Sequence, residues 1–283
     1  VETRVCLENP HGGRIGLDTF GAAMEINIYP DKHAAGDAAA DFVANAVKRN
    51  PRIVLGLATG ETPLGLYANL VKKYESGELS FSKAVSFNLD EYVGIGRDDK
   101  NSYAYYMRSN FFDKIDIDPA DTHIPDGTAE NPVFACAAYE RAIKNAGGIE
   151  LQILGIGGDG HIGFNEPSSS LASRTRMKTL TRETVRDNAR FFGGNPDSVP
   201  RHVLTMGVGT IMEAETIVML AFGESKAEAV AAMAEGAITS MVPASVLQMH
   251  PNTKVFLDEA AASKLKLRDY YKWVAERKPF PEA

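Results

Sequence analysis

Three ionisable side chains, Asp159, His161 and Glu166, fall in one stretch that reads LQILGIGGDGHIGFNEP over residues 151–167. Carboxylates flanking an imidazole fix its tautomer and raise its pKa, which equips the group for proton transfer. The stretch opens as an apolar run, residues 151–156, too short for a helix and bounded by glycine. Such a run fits a strand buried on both faces. Gly157, Gly158 and Gly160 then permit a tight turn and let a ligand come close to the backbone. Polar groups at the carboxyl end of a central strand lie where open α/β sheets bind ligands. A solvated surface turn is the plain alternative, and the density of ionisable groups beside a buried run argues against it.

Two further stretches carry chemistry. Thr59-Gly60-Glu61-Thr62-Pro63 lies between an apolar run and a helical pattern. Free backbone N–H groups at a helix start, with threonine hydroxyls, make an anion site, and Pro63 suits the first turn. The spacing is neither a Walker loop nor GxGxxG, so no nucleotide is implied. Glu61 is the awkward member, because its carboxylate must point away from a bound anion. The second stretch, FNLDEY over residues 87–92, sets Asp90 at a strand tip, where a carboxylate can serve as a general base. Arg190, on a basic helical stretch, and Lys226, just inside a helix start, are the cations a phosphate would need. A metal is the competing use of Asp159, His161 and Glu166, but the spacing is not HExxH and no cysteine joins in. No metal and no cofactor are expected.

These residues need a scaffold. The chain has 283 residues, 44% hydrophobic and 24% charged, enough for a large core without disulfides. Its net charge of −7 and lack of a basic block argue against a nucleic-acid surface. Cys6 and Cys136 are far apart and in no metal-ligand spacing, which fits a reducing compartment. No stretch approaches the roughly 20 apolar residues of a membrane span and no signal-peptide pattern opens the chain, so the expected location is cytoplasmic.

The pattern predicts strands at residues 25–29, 53–57, 85–88, 151–156, 203–206, 216–222 and 254–257. Helices are expected over residues 34–48, 63–74, 103–112, 131–145 and 181–192, from a Ser225 cap through 233, and over 263–276. Strands alternating with helices mean a parallel sheet covered on both faces, in a single domain. Residues 1–24 read as an N-terminal extension and 25–283 as the folded unit.

LGLATGETPLGLY, SFNLDEYVGI, LGIGGDGHIGFNEPSSSLASRTRMKTLT, ARFF and LTMGVGTIMEAE together resemble the glucosamine-6-phosphate deaminase family, in order and spacing. The resemblance implies a three-layer αβα fold with a Rossmann-like, mostly parallel sheet. It implies conversion of glucosamine 6-phosphate and water to fructose 6-phosphate and ammonia, in amino-sugar catabolism, with no metal or cofactor. By position, Asp90 matches the base that moves a proton between C2 and C1. His161 matches the ring opener, and Asp159 and Glu166 match the carboxylates that hold its imidazole. Thr59, Gly60, Glu61, Thr62, Arg190 and Lys226 match the phosphate cradle. Residues 176–205 match a lid.

The resemblance also implies a homo-oligomer, a hexamer in some members, with an allosteric site for N-acetylglucosamine 6-phosphate. Ser169, Arg176 and Lys178 match part of that site, and Tyr270 or Tyr271 is a candidate aromatic partner. Departures from the family's pattern are Glu61, Gly158, the run 237–243 in place of His-Met-Trp, and the extension before Glu25. The rivals are a 6-phosphogluconolactonase-like hydrolase, which leaves Asp90 without a task, and a non-catalytic sugar-phosphate sensor. Galactosamine 6-phosphate remains open as substrate, since it differs only at C4.

Overall fold

The structure is a computed structural model and describes residues 24–277. The expected N-terminal extension, with Cys6, lies outside the described residues apart from Met24. In chain order the elements are β1 (Glu25–Tyr29), α1 (Lys32–Arg49), β2 (Val54–Leu57), α2 (Leu64–Glu75), β3 (Val85–Asn88) and β4 (Asp90–Tyr92). There follow α3 (Tyr103–Asn110), β5 (Thr122–His123), α4 (Pro132–Asn145), β6 (Leu151–Gly155), β7 (Arg176–Thr179) and α5 (Arg182–Asn188). The chain closes with β8 (His202–Thr205), α6 (Val208–Met212), β9 (Thr216–Ala221), α7 (Ala227–Glu235), β10 (Thr253–Asp258) and α8 (Arg268–Ala275).

Seven strands form one parallel sheet in the order β1-β10-β9-β6-β2-β3-β5. From β2 the chain adds strands in one direction, and from β6 it adds them in the other. The boundary between β2 and β6 is therefore a topological switch point, and a crevice opens there at the carboxyl ends. The central strands β2, β6 and β9 are buried almost throughout, as continuous apolar runs covered on both faces must be. Helix α1 buries a stripe of small residues, Ala35, Ala39, Ala40, Val43, Ala44 and Val47, and Asp31 caps its first turn through the N–H groups of His33 and Ala34.

A second sheet of three antiparallel strands, in the order β4-β8-β7, stands beside the first. Leu89 joins the two. Its N–H donates to the Leu57 carbonyl of β2 at 3.1 Å, and its carbonyl accepts from the Met206 N–H at 2.7 Å. One residue thus completes the ladder of the large sheet and starts that of the small one, which puts Asp90 at the junction.

The expected parallel sheet is present, but residues 203–206 do not belong to it: β8 runs antiparallel in the small sheet. Strand β7 was not expected, because charged residues alternate along Arg-Met-Lys-Thr and hide the strand period. The Ser225 cap is absent. A 3₁₀ turn, Glu224–Lys226, precedes α7, and no side chain caps it. The last helix begins five residues later than expected, at Arg268 rather than 263, because Glu235 accepts the N–H groups of Lys266 and Leu267 and holds the preceding chain in turns.

Gly207 follows β8 where the small sheet meets the rest. A methyl group on it would lie 2.0 Å from the Ser173 carbonyl oxygen, a backbone atom that cannot step aside. Gly207→Ala is expected to destabilise the protein by about 1–3 kcal/mol, as overpacking does. Urea unfolding checks this, and an unchanged midpoint would contradict the packing described.

Candidate active site

The switch point brings two loops together. The loop after β2 carries Thr59, Gly60, Glu61 and Thr62 into α2, whose N-cap is Pro63 and whose first amides have no side-chain cap. Uncapped N–H groups at a helix start are open to an anion. Tyr106 of α3 donates its hydroxyl to the Gly60 carbonyl at 2.5 Å and so ties the loop in place. Thr62 lies against Gly155 at the tip of β6, with its Cβ 3.9 Å from where a Cβ on that glycine would be. The anion loop and the 157–166 turn are therefore neighbours.

In that turn the Asp159 carboxylate meets His161 twice, at Nδ1 (2.6 Å) and at the backbone N–H (3.1 Å). A carboxylate on Nδ1 holds the proton there and leaves Nε2 free for other chemistry. Burial works to raise the Asp159 pKa, but the hydrogen bond and charge of His161 outweigh it and hold the carboxyl below its ordinary value. The ring lies flat against Gly157: a Cβ there would be 2.2 Å from its Cε1. Only glycine leaves room for the imidazole in this position.

Asp90 is buried at the sheet junction, 5% exposed. Burial, and then the neighbouring charge of Glu91, push its pKa from 3.8 to about 8. The burial has a visible source: the rings of Tyr92, Tyr103 and Phe164 pack together beside it, with centroids 5.0 to 6.2 Å apart. Across the small sheet Asp90 is in register with Thr205, whose hydroxyl accepts from the Phe164 N–H at 3.1 Å. Gly163, at φ 55°, fits between them; a Cβ there would be 3.6 Å from Asp90 Oδ2 and 3.1 Å from Thr205 Oγ1. The loop that holds His161 therefore also packs on the Asp90 carboxylate.

Glu166 sits elsewhere than expected. Its Oε1 accepts from the Thr181 N–H, the Thr181 hydroxyl and the Thr184 hydroxyl, at 3.1, 3.0 and 2.5 Å, and Oε2 accepts from the Thr181 N–H at 3.0 Å. The carboxylate is thus spent on the start of α5, where a negative charge suits the helix dipole. Asp159 is the carboxylate that holds the imidazole. Glu166 instead ties the 157–166 loop to the 176–205 segment, which comprises β7, α5, two 3₁₀ turns and β8.

The two cations face the same space. Lys226 is half-buried, and its pKa is lowered first by burial and then by the charge of Arg190, against the opposing pull of Asp187 and Asp159. Arg190 Nη1 reaches Glu61 Oε2 at 3.5 Å. The chain of neighbours runs from Asp159 through Lys226 and Arg190 to the anion loop.

Sequence reasoning passed over Glu91. Its buried carboxylate accepts the N–H groups of Tyr92, Tyr103 and Ala104 and so anchors the start of α3, which carries Tyr103 and Tyr106 to the site. Ser102 caps the same helix start, its hydroxyl accepting from the Tyr105 N–H. Of the residues matched to an allosteric site, Ser169 is buried with an unpartnered hydroxyl, and Arg176 donates to Asn165 Oδ1 at 2.8 Å. Lys178 shares the half-buried face of β7 with Arg176, and Arg176 is in register with Thr205 and hence with Asp90. Among the described residues no group of three or more His, Cys, Asp or Glu is placed to hold a metal ion, and no helix is long and apolar enough to cross a membrane.

A family model described as glucosamine-6-phosphate isomerases/6-phosphogluconolactonase matches residues 31–256. The chain belongs to this family. It is 54% identical over 256 residues to glucosamine-6-phosphate deaminase of Mycolicibacterium smegmatis, covering 90% of this chain and 98% of that one. To the enzyme of that name from Shewanella woodyi it is 51% identical over 252 residues, covering 89% and 95%. Among solved structures, a glucosamine-6-phosphate deaminase described as monomeric superposes with a TM-score of 0.83 at 43% identity, covering 85% of this chain and all of that one. A 6-phosphogluconolactonase from Trypanosoma brucei gives 0.69 at 19% identity over 86% and 98%, a likeness of fold.

The raised pKa of Asp90 has a thermodynamic consequence. A folded-state pKa above the unfolded value contributes stability at low pH that is lost progressively as pH rises from about 4 to about 8. Asp90→Asn removes this loss. The variant should gain melting temperature relative to the parent as pH rises from 5 to 8, by about the equivalent of 1.4 kcal/mol per unit at most. A parent-to-variant difference that does not change with pH would contradict the assignment.

Proposed function

We propose that the chain converts glucosamine 6-phosphate and water to fructose 6-phosphate and ammonia. The observation that carries the reading is the packing of one loop, 157–166, against both the Asp90 carboxylate and its own His161 ring, beside an anion loop and two cations. The identity to enzymes named glucosamine-6-phosphate deaminase supports the substrate.

Each step falls to a group with suitable chemistry. The amides and hydroxyls of Thr59, Gly60 and Thr62, with Arg190 and Lys226, hold the phosphate and fix where C1 and C2 lie. His161, oriented by Asp159, moves a proton at the ring oxygen and opens the pyranose. Asp90 takes the proton from C2, giving an enolamine, and returns it to C1. The product is an imine at C2. Water adds to that carbon, the C–N bond breaks and ammonia leaves. A carboxyl with a pKa of about 8 both accepts and returns a proton near neutral pH, which a solvated aspartate does poorly. Glu166 holds α5 in place, so the 176–205 segment acts as a lid that keeps water from the enolamine. The cytoplasm is the proposed location. The lactonase alternative draws on the shared fold and on a family description that covers both activities, whereas the relatives at 54% and 51% identity carry the deaminase name; no step here requires a metal.

A coupled assay for ammonia and ketose 6-phosphate, run on both glucosamine and galactosamine 6-phosphates, tests the reading. Turnover of the glucosamine compound is expected. Asp90→Asn should lose about 10²–10⁴-fold in kcat, the contribution of a positioned acid–base group, and His161→Gln a comparable factor. Near-full turnover by Asp90→Asn would remove the assigned base, and release of acid from 6-phosphogluconolactone without ammonia from the amino sugar would favour the rival.

Assembly is a separate proposal: a homo-oligomer, hexameric as the resemblance implies, built through the face that exposes Val133, Phe134 and Met177 beside a cavity of about 910 Å³. A solved relative is described as monomeric, so the state is measured apart from the activity. Light scattering should give a multiple of 30.6 kDa. A single-chain mass would end this proposal and leave the reaction untouched.

A further inference from the structure

Glu61 puts a negative charge in a loop whose other features attract one. Its side chain is 63% exposed, so solvent is open to it, yet it faces Arg190 across 3.5 Å. The two residues belong to different parts of the site. Glu61 lies on the fixed loop between β2 and α2, held by the bond from Tyr106 to Gly60. Arg190 lies on the 3₁₀ turn Ala189–Phe192 that follows α5, with its guanidinium 4.7 Å from the centre of the Phe191 ring. Lys226 also feels the charge of Arg190, and Asp187 and Asp159 oppose it there. Glu61 is thus the carboxylate paired with Arg190, and it lies in the loop that leads into the uncapped start of α2.

We propose that Glu61 is an internal stand-in for the substrate's phosphoryl group: it tethers Arg190, and with it the lid, to the anion loop until a phosphate displaces it. The proposal rests on the phosphate cradle assigned under the proposed function. An exposed pair at 3.5 Å is weak and easily broken. A phosphate dianion offers Arg190 a better partner, with two oxygens matching the guanidinium fork. Glu61 must then turn to solvent, which its exposure allows, and its charge remains a like-charge neighbour of the ligand. Both effects raise the KM for a phosphorylated substrate. Glu61 is therefore a residue that sets affinity for the phosphate end, without touching the reacting carbons.

The test combines kinetics with direct binding. Glu61→Gln should lower KM for glucosamine 6-phosphate about fivefold, the scale of one exposed ion pair, with kcat changing by a smaller factor. The dissociation constant of inorganic phosphate, measured by calorimetry, should fall by a similar factor. In an Arg190→Gln background, where KM is itself raised, adding Glu61→Gln should give much less improvement, since the tether is already gone. An unchanged or higher KM and phosphate dissociation constant in Glu61→Gln would overturn the proposal. So would an equal improvement with and without Arg190, which would show a general field effect and no tether. Calorimetry needs no turnover, so it reads the tether separately from the reaction: absence of ammonia release by the parent enzyme counts against the proposed function, and absence of any phosphate binding counts against this inference.

Discussion

The site depends on one buried carboxylate at a seam. Leu89 is hydrogen-bonded into the large sheet through its N–H and into the small sheet through its carbonyl, so the next residue, Asp90, is buried at the junction of the two. Taking a carboxylate out of water penalises its charged form. Here the penalty is left uncompensated by any cation, and the pKa rises to about 8. Glu91, one residue on, is also buried and its pKa is also raised by burial, but three backbone N–H groups oppose the rise. Adjacent residues thus differ in environment: Glu91 accepts from three backbone N–H groups and anchors a helix start, while Asp90 is buried with its pKa raised.

The remaining parts are held in relation to that seam. The loop after β6 packs Gly163 on Asp90, carries His161 on Gly157, and spends Glu166 on the start of α5. Asn165 of the same loop donates to the Met206 carbonyl and accepts from Arg176. A single stretch therefore carries His161, packs on Asp90 and is bonded to the 176–205 segment at two places. The 176–205 segment and the loop that orients His161 are thus directly hydrogen-bonded to each other.

Much of this was legible in the sequence, and the limits are physical. Buried parallel strands are continuous apolar runs, so β1 and β3 were placed to the residue and β2, β6, β9 and β10 within one residue at an end. The glycine turn after β6 announced the crevice. The small sheet was not legible, because β4 is three residues long and β7 alternates charged residues without an apolar face. Its existence decides the burial of Asp90, so the sequence could nominate that residue as a base but could not say why its proton affinity is tuned. Glu166 shows the reverse limit. Its nearness to His161 in sequence suggested a direct contact, yet the turn at Asn165, bonded back to Ile162, carries it to residues Thr181 and Thr184.

Desolvation at the seam sets the proton affinity of Asp90. Carbon-detected NMR of the Asp90 side-chain carboxyl, followed from pH 4 to pH 10 in the ligand-free protein, measures this directly. The account predicts a single titration with a midpoint near 8. A midpoint at or below about 5, the range of an ordinary solvated aspartate, would contradict it.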